Sequence, residues 1–152
     1  MNIQSFIQDW KEVRGKTYEF LETISENKIN WSPHKDLGTF GMQIRHMSIS
    51  QRAYIRGIQS GTINFKDKSY DKEIEKSKTK AIAFLKQQDK ELIDVLKKVK
   101  ENKKIEFHDG VYGVKKVTVE TVLDWLMQHE AYHQGIFTCY GRLVGLGKFR
   151  LM

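Results

Sequence analysis

Residues 118–146 read TVETVLDWLMQHEAYHQGIFTCYGRLVGL, and the spacing within them decides the fold class. Val122, Leu126, His129, His133, Ile136, Tyr140 and Leu143 recur at alternating steps of four and three, the repeat of a helix-bundle seam. Thr118 is a good N-cap, and Gly145 and Gly147 are stop signals, so a helix is predicted from Thr118 to roughly Leu146. Glu130 falls about 100° from that seam, where a carboxylate ordinarily faces water. Cys139 also falls off it and is expected to pack as a small hydrophobe.

Upstream, KIEFHDGVYGVKKVTV (104–119) is β-branched and aromatic, with a turn signal at Asp109-Gly110. It is read as a short hairpin or extended crossover. A third helix is predicted over about Asp71–Glu101, with Ile74, Ala81, Ile82, Leu85, Leu92, Leu96 and Val99 inward. A second starts at the N-cap Thr39 and runs to Gly57 or Ser60, with Met42, His46, Ile49 and Ala53 on one stripe. Phe40, Ile44, Met47, Tyr54 and Ile58 form a further stripe, so this helix is expected to be buried on more than one side. The first helix carries Ile3, Phe6, Ile7, Trp10, Val13, Thr17, Leu21 and Ile24 on one face. It ends before Trp31-Ser32-Pro33, because Pro disfavours helical geometry in the residue before it. Four long helices with one longer crossover give an all-α four-helix bundle, as one domain over residues 1–152.

Composition narrows the function. The 152 residues contain one Pro and one Cys, which argues for long helices and excludes both a disulfide framework and a cysteine metal cage. Lys and Arg number 26 against 19 acids, a net charge of +7. The richest basic run, KKVKENKK (97–104), has no aromatic residues and reads as a solvated helix end, so nucleic acid is not the expected partner. No segment reaches the ~18 apolar residues of a membrane span, and MNIQSFIQDWKEV lacks the apolar run of a signal peptide. A cytoplasmic location is the expectation.

The chemistry lies on the fourth helix. His129 and His133 take seam positions that elsewhere carry Leu or Ile. One turn apart, they lie about 40° apart around the helix, so both rings can reach one point. Left unpaired in a core, each ring nitrogen would cost roughly 1–3 kcal/mol. A divalent metal removes that cost by taking the lone pairs of both neutral rings. HEAYH (129–133) also satisfies the H-E-x-x-H helix of zinc proteases. Residues 134–152, however, contain no Asp, Glu or His to serve as the downstream third ligand, so that reading is set aside. Among the remaining histidines, His34 follows Pro33 in a loop and His108 adjoins the predicted turn. His46 lies inside the second helix on its inward stripe and is the best third ligand.

Trp31-Ser32-Pro33, GTFGMQIRHM ending near His46, and HEAYHQG with His129, Tyr132, His133 and Gly135 together resemble the DinB/YfiT-like proteins. The resemblance covers essentially the whole chain in element order. It implies a four-helix bundle whose three histidines bind a divalent metal, here His46, His129 and His133, with zinc or nickel the foremost candidates. It further implies a metal-dependent enzyme. Some members are S-transferases that activate a low-molecular-weight thiol such as bacillithiol or mycothiol, others are metal-dependent hydrolases, and a non-catalytic stress-response binding protein is the remaining class. Many members continue the signature as R-G-Q-I, whereas this chain has Gln134-Gly135-Ile136-Phe137. Within such a site Glu130 could serve as a general base or as an acceptor behind the ligands, and Tyr132 and Tyr140 could hydrogen-bond a small-molecule substrate. Trp10 is expected in the core. A homodimer is implied by the resemblance, and the tail GLGKFRLM (145–152) offers apolar residues for it.

Overall fold

Each long helix begins where a side-chain oxygen takes one of the orphan backbone N–H groups of a first turn. Asn2 caps α1 (Ile3–Thr23), Thr39 caps α2 (Phe40–Ser60), Ser77 caps α3 (Lys78–Leu96) and Thr118 caps α4 (Val119–Leu143). The computed structural model describes residues 2–65, 72–109 and 113–146. Gly61, at φ +91°, closes α2 in the left-handed conformation that glycine adopts without strain.

Two strands, β2 (Lys104–Asp109) and β3 (Gly113–Thr118), form the expected antiparallel hairpin before α4, with Ile105 opposite Val117 and Phe107 opposite Lys115. The turn read at Asp109-Gly110 falls where residues 110–112 lie outside the described ones. A further strand, β1 (Thr62–Ile63), pairs parallel with β2 and makes a sheet of order β1-β2-β3. Sequence reading missed it, since two residues are too short to show alternation.

The third helix is shorter than expected. Residues Lys72–Lys76 wind as a 3-10 turn before the Ser77 cap, and α3 stops at Leu96 instead of reaching Glu101. At one end this turn packs so closely on α2 that a Cβ on Gly41 would sit 1.8 Å from the Glu75 carbonyl oxygen. At the other, Lys103 reaches across to the last carbonyls of α2, donating to Ile58 and Gln59 at 2.7 and 2.8 Å. The chain must leave the helix before that residue to do so.

Two apolar clusters fill the bundle. One gathers Phe20, Phe40, Phe137 and Tyr140, and the other Phe6, Trp10, Ile55 and Leu126 with Ile105 of the sheet. Arg14 from α1, Gln51 from α2 and Glu130 from α4 are buried as well, with Asp89 from α3 half-buried among them. The buried line on α4 accordingly runs Leu126, Glu130, His133, Phe137, Tyr140. This corrects the sequence-derived seam at three positions, since Leu143 is 67 % exposed and His129 and Ile136 are only half-buried.

Candidate metal centre

α2 and α4 pack against each other and bring the three candidate histidines together. His46 stands on α2 at the exposed rim, His129 on α4 is half-buried, and His133 one turn on is fully buried. The Nε2 atoms of His129 and His46 are 3.2 Å apart, and those of His133 and His129 3.3 Å. One ring nitrogen from each histidine lies within 4.8 Å of the other two. Nitrogens bound at about 2.0–2.1 Å around a tetrahedral cation sit about 3.3 Å from one another, so this donor set fits a single divalent ion.

Electrostatics keeps the rings in the form a metal needs. Burial pushes the His133 pKa down to about 3, with His129 and His46 adding to the fall. His129 is pushed down to about 4 by burial, then by His46 and Arg14. His46 is lowered by burial and by the neighbouring Arg45. All three imidazoles are therefore neutral near pH 7 and keep a lone pair to donate.

Behind the histidines lies the polar layer. The Arg14 guanidinium is 3.2 Å from both Asp89 and Glu130, ionic contacts rather than well-aligned hydrogen bonds, and donates to Gln51 at 2.6 Å. Thr17 donates to Glu130 and Tyr18 to Asp89. Asp89 also accepts from Gln51 at 3.0 Å and from the Trp10 indole at 3.1 Å, which confirms Trp10 as a core residue with a polar duty. Gln134, where many relatives of the resembled family carry Arg, is buried and donates to the Val13 carbonyl and to Thr17.

Glu130, expected at the surface, is only 2 % exposed, because Arg14 and Thr17 on α1 compensate its burial. Burial raises its pKa while Arg14 and the Thr17 hydrogen bond oppose the rise. The sequence signal for this layer was present in the first helix. Arg14 continues the Phe6–Trp10 spacing and Thr17 follows it, so a cation already stood on an apolar face.

The other candidates separate. Tyr132 is 66 % exposed, with its ring edge-on to His133 at 5.2 Å, so it stands at the mouth of the cluster. Tyr140 is buried two turns past His133, and its hydroxyl donates to the Gly38 carbonyl at 3.0 Å, tying α4 to the loop before α2. Cys139 is exposed and not packed, because the buried line passes through Tyr140 instead. Met42, expected on the inward stripe of His46, is exposed too. His34 pairs with Asp36 at 3.3 Å on the surface, and His108 lies exposed on β2. The apolar tail considered for dimer contact lies largely outside the described residues.

A recess of about 390 Å³ opens beside His129, lined by Tyr54, Phe107, Trp125, Gln128 and His129 itself. The Phe107 and Trp125 rings are 5.1 Å apart, and Phe65 stands edge-on to Tyr54 and Phe107 at 5.5 and 6.1 Å. A larger groove of about 950 Å³ runs between the C-terminal ends of α2 and α3. None of its lining residues belongs to the histidine cluster, and Glu91 and Asp94 stand among its four lysines. Among the described residues no helix is long and apolar enough to cross a membrane.

Solved structures share this architecture. A DinB-like protein from Bacillus subtilis, YjoA, matches with a TM-score of 0.73 at 18 % identity, over 95 % of this chain and 94 % of that one. A DinB-like protein from Bacillus cereus matches with a TM-score of 0.74 at 16 % identity, over 93 % and 92 %. YfiT from Bacillus subtilis, described as "a probable metal-dependent hydrolase with an unusual four-helix bundle topology", matches with a TM-score of 0.71 at 18 % identity, over 94 % and 87 %. No curated protein matches the chain. A family profile, that of the DinB family, matches residues 1–149. The chain belongs to the DinB family.

Proposed function

We propose that this protein is a metal-dependent enzyme that hydrolyses a small ester or amide, with His46, His129 and His133 holding one divalent transition metal. The observation that carries the reading is the convergence of three neutral ring nitrogens, from two helices, on one point. Three protein ligands are the donor count of catalytic sites, whereas structural sites close with four. When bound, the metal supplies Lewis acidity, enough to make a water or thiol reactive near neutral pH. The chain's own residues do the rest. Burial of His129 and His133 keeps protons off the donors, and the exposed rim at His46 and Tyr132 leaves a way in from solvent. We assign Glu130 to positioning rather than proton transfer, since its carboxylate is engaged by Arg14 and Thr17. The structural neighbour YfiT, described as a probable metal-dependent hydrolase, supports the choice of water as co-reactant.

Thiol S-transfer is the second reading, favoured by the net charge of +7, which suits thiol cosubstrates that carry carboxylates. One experiment separates the two. Untagged protein and a His129→Ala/His133→Ala variant are assayed for metal by elemental mass spectrometry, then for turnover of esters and amides with and without added thiol. About one metal per chain, lost in the variant, together with thiol-independent turnover supports the hydrolase. Turnover that requires thiol transfers the assignment to S-transfer, and wild-type protein that takes up no metal overturns both.

A further inference from the structure

The recess beside His129 has a composition unlike the rest of this basic surface. Tyr54, Phe107 and Trp125 present half-buried aromatic rings, and among the described residues no Lys, Arg, Asp or Glu lines it. Tyr54, Phe65, Phe107 and Trp125 form one continuous ring-to-ring contact chain drawn from α2, the segment after β1, β2 and α4. Four elements thus turn aromatic side chains to the same place. The lining also includes His129, one of the three clustered donors, so a molecule seated there lies against the histidine cluster. Its hydrogen-bonding side chains besides His129 are the Tyr54 hydroxyl and the Gln128 amide, both uncharged.

We propose that this recess is the substrate-binding subsite and that it takes an uncharged aromatic group attached to the bond being cleaved. The assignment rests on the metal-dependent reading of the same site. Chemistry selects the class. Apart from the histidine centre itself, no described lining residue is a cation that would pair with a carboxylate or phosphate as it loses water. A flat apolar ring exchanges water for offset and edge-to-face contacts with Phe107 and Trp125. A recess of about 390 Å³ is of the size of known small-molecule pockets and accommodates a single substituted ring.

The test uses acetanilide as the aromatic amide and N-methylacetamide as its aliphatic counterpart, titrated into full-length protein with and without zinc. Binding is followed by the indole N–H resonances of the three tryptophans, assigned with Trp125→Phe. Acetanilide is expected to bind roughly tenfold or more tightly than N-methylacetamide, shifting Trp125 and leaving Trp10 and Trp31 in place. Gln128→Phe, at an exposed position on the recess wall, should fill the recess and abolish that preference while zinc content stays as in wild type. Equal affinity for the two amides, or a preference that survives Gln128→Phe, overturns the proposal. The two readings fail separately. Zinc uptake with no aromatic preference removes the subsite and leaves the histidine centre intact. Aromatic preference in a protein that takes up no zinc overturns the enzymatic reading, leaving only an aromatic-binding recess.

Discussion

Arg14 is the residue on which the polar layer depends. Its guanidinium faces Asp89, Glu130 and Gln51 and stacks over the Trp10 ring at 4.6 Å. Arg14→Met leaves two carboxylates uncompensated and should cost about 3–5 kcal/mol in urea unfolding. Glu130→Gln keeps an acceptor for Thr17 and loses only the charge, so about 1–3 kcal/mol is expected, with metal content unchanged in elemental analysis. The histidines set a pH dependence of the metal-free protein. Their folded pKa values, about 3 for His133 and about 4 for His129, lie below the unfolded value of 6.5. Below that unfolded value the unfolded chain binds protons the folded chain refuses, so stability is present above it and drains away as pH falls through the folded values. Thermal melts of metal-free protein should therefore show a lower Tm near pH 5 than near pH 7, and His129→Leu/His133→Leu should flatten the difference.

At the scale of elements, the sequence made some features legible and hid others for physical reasons. Caps are local, so Thr39 and Thr118 marked the starts of α2 and α4 correctly. The hairpin was legible because β-branched residues flank the turn signal within a few positions. The rotation of α4 was not. Runs through His129 and Ile136 or through Glu130 and Phe137 both satisfy a helical repeat, and only Arg14 on another helix makes a buried Glu130 tolerable. The histidine cluster survived that error because one ring at a seam edge and one at its centre still converge on a single point. Close approach between elements is equally invisible in a linear string. Gly41→Ala should meet the Glu75 backbone and destabilise the fold by about 3 kcal/mol or more, read as a loss of Tm.

Across the whole molecule, the histidine cluster bridges α2 and α4, so a cation bound to all three rings also clamps two helices. Metal at a hundredfold excess over its Kd should add about 2.7 kcal/mol and raise Tm by roughly 5–10 °C, reversed by a chelator. Two of the three donors ride on α4, and His46 lies 83 residues upstream of His129. At synthesis rates of about 5–20 residues per second, His46 is made roughly 4–17 s before the residues that complete its site. A nascent chain stalled inside α3 carries one of the cluster's three imidazoles, and a chain made through α4 carries all three. Coordination by all three rings therefore requires a chain carried through His133, and every fragment that stops short of the fourth helix lacks two of the three donors.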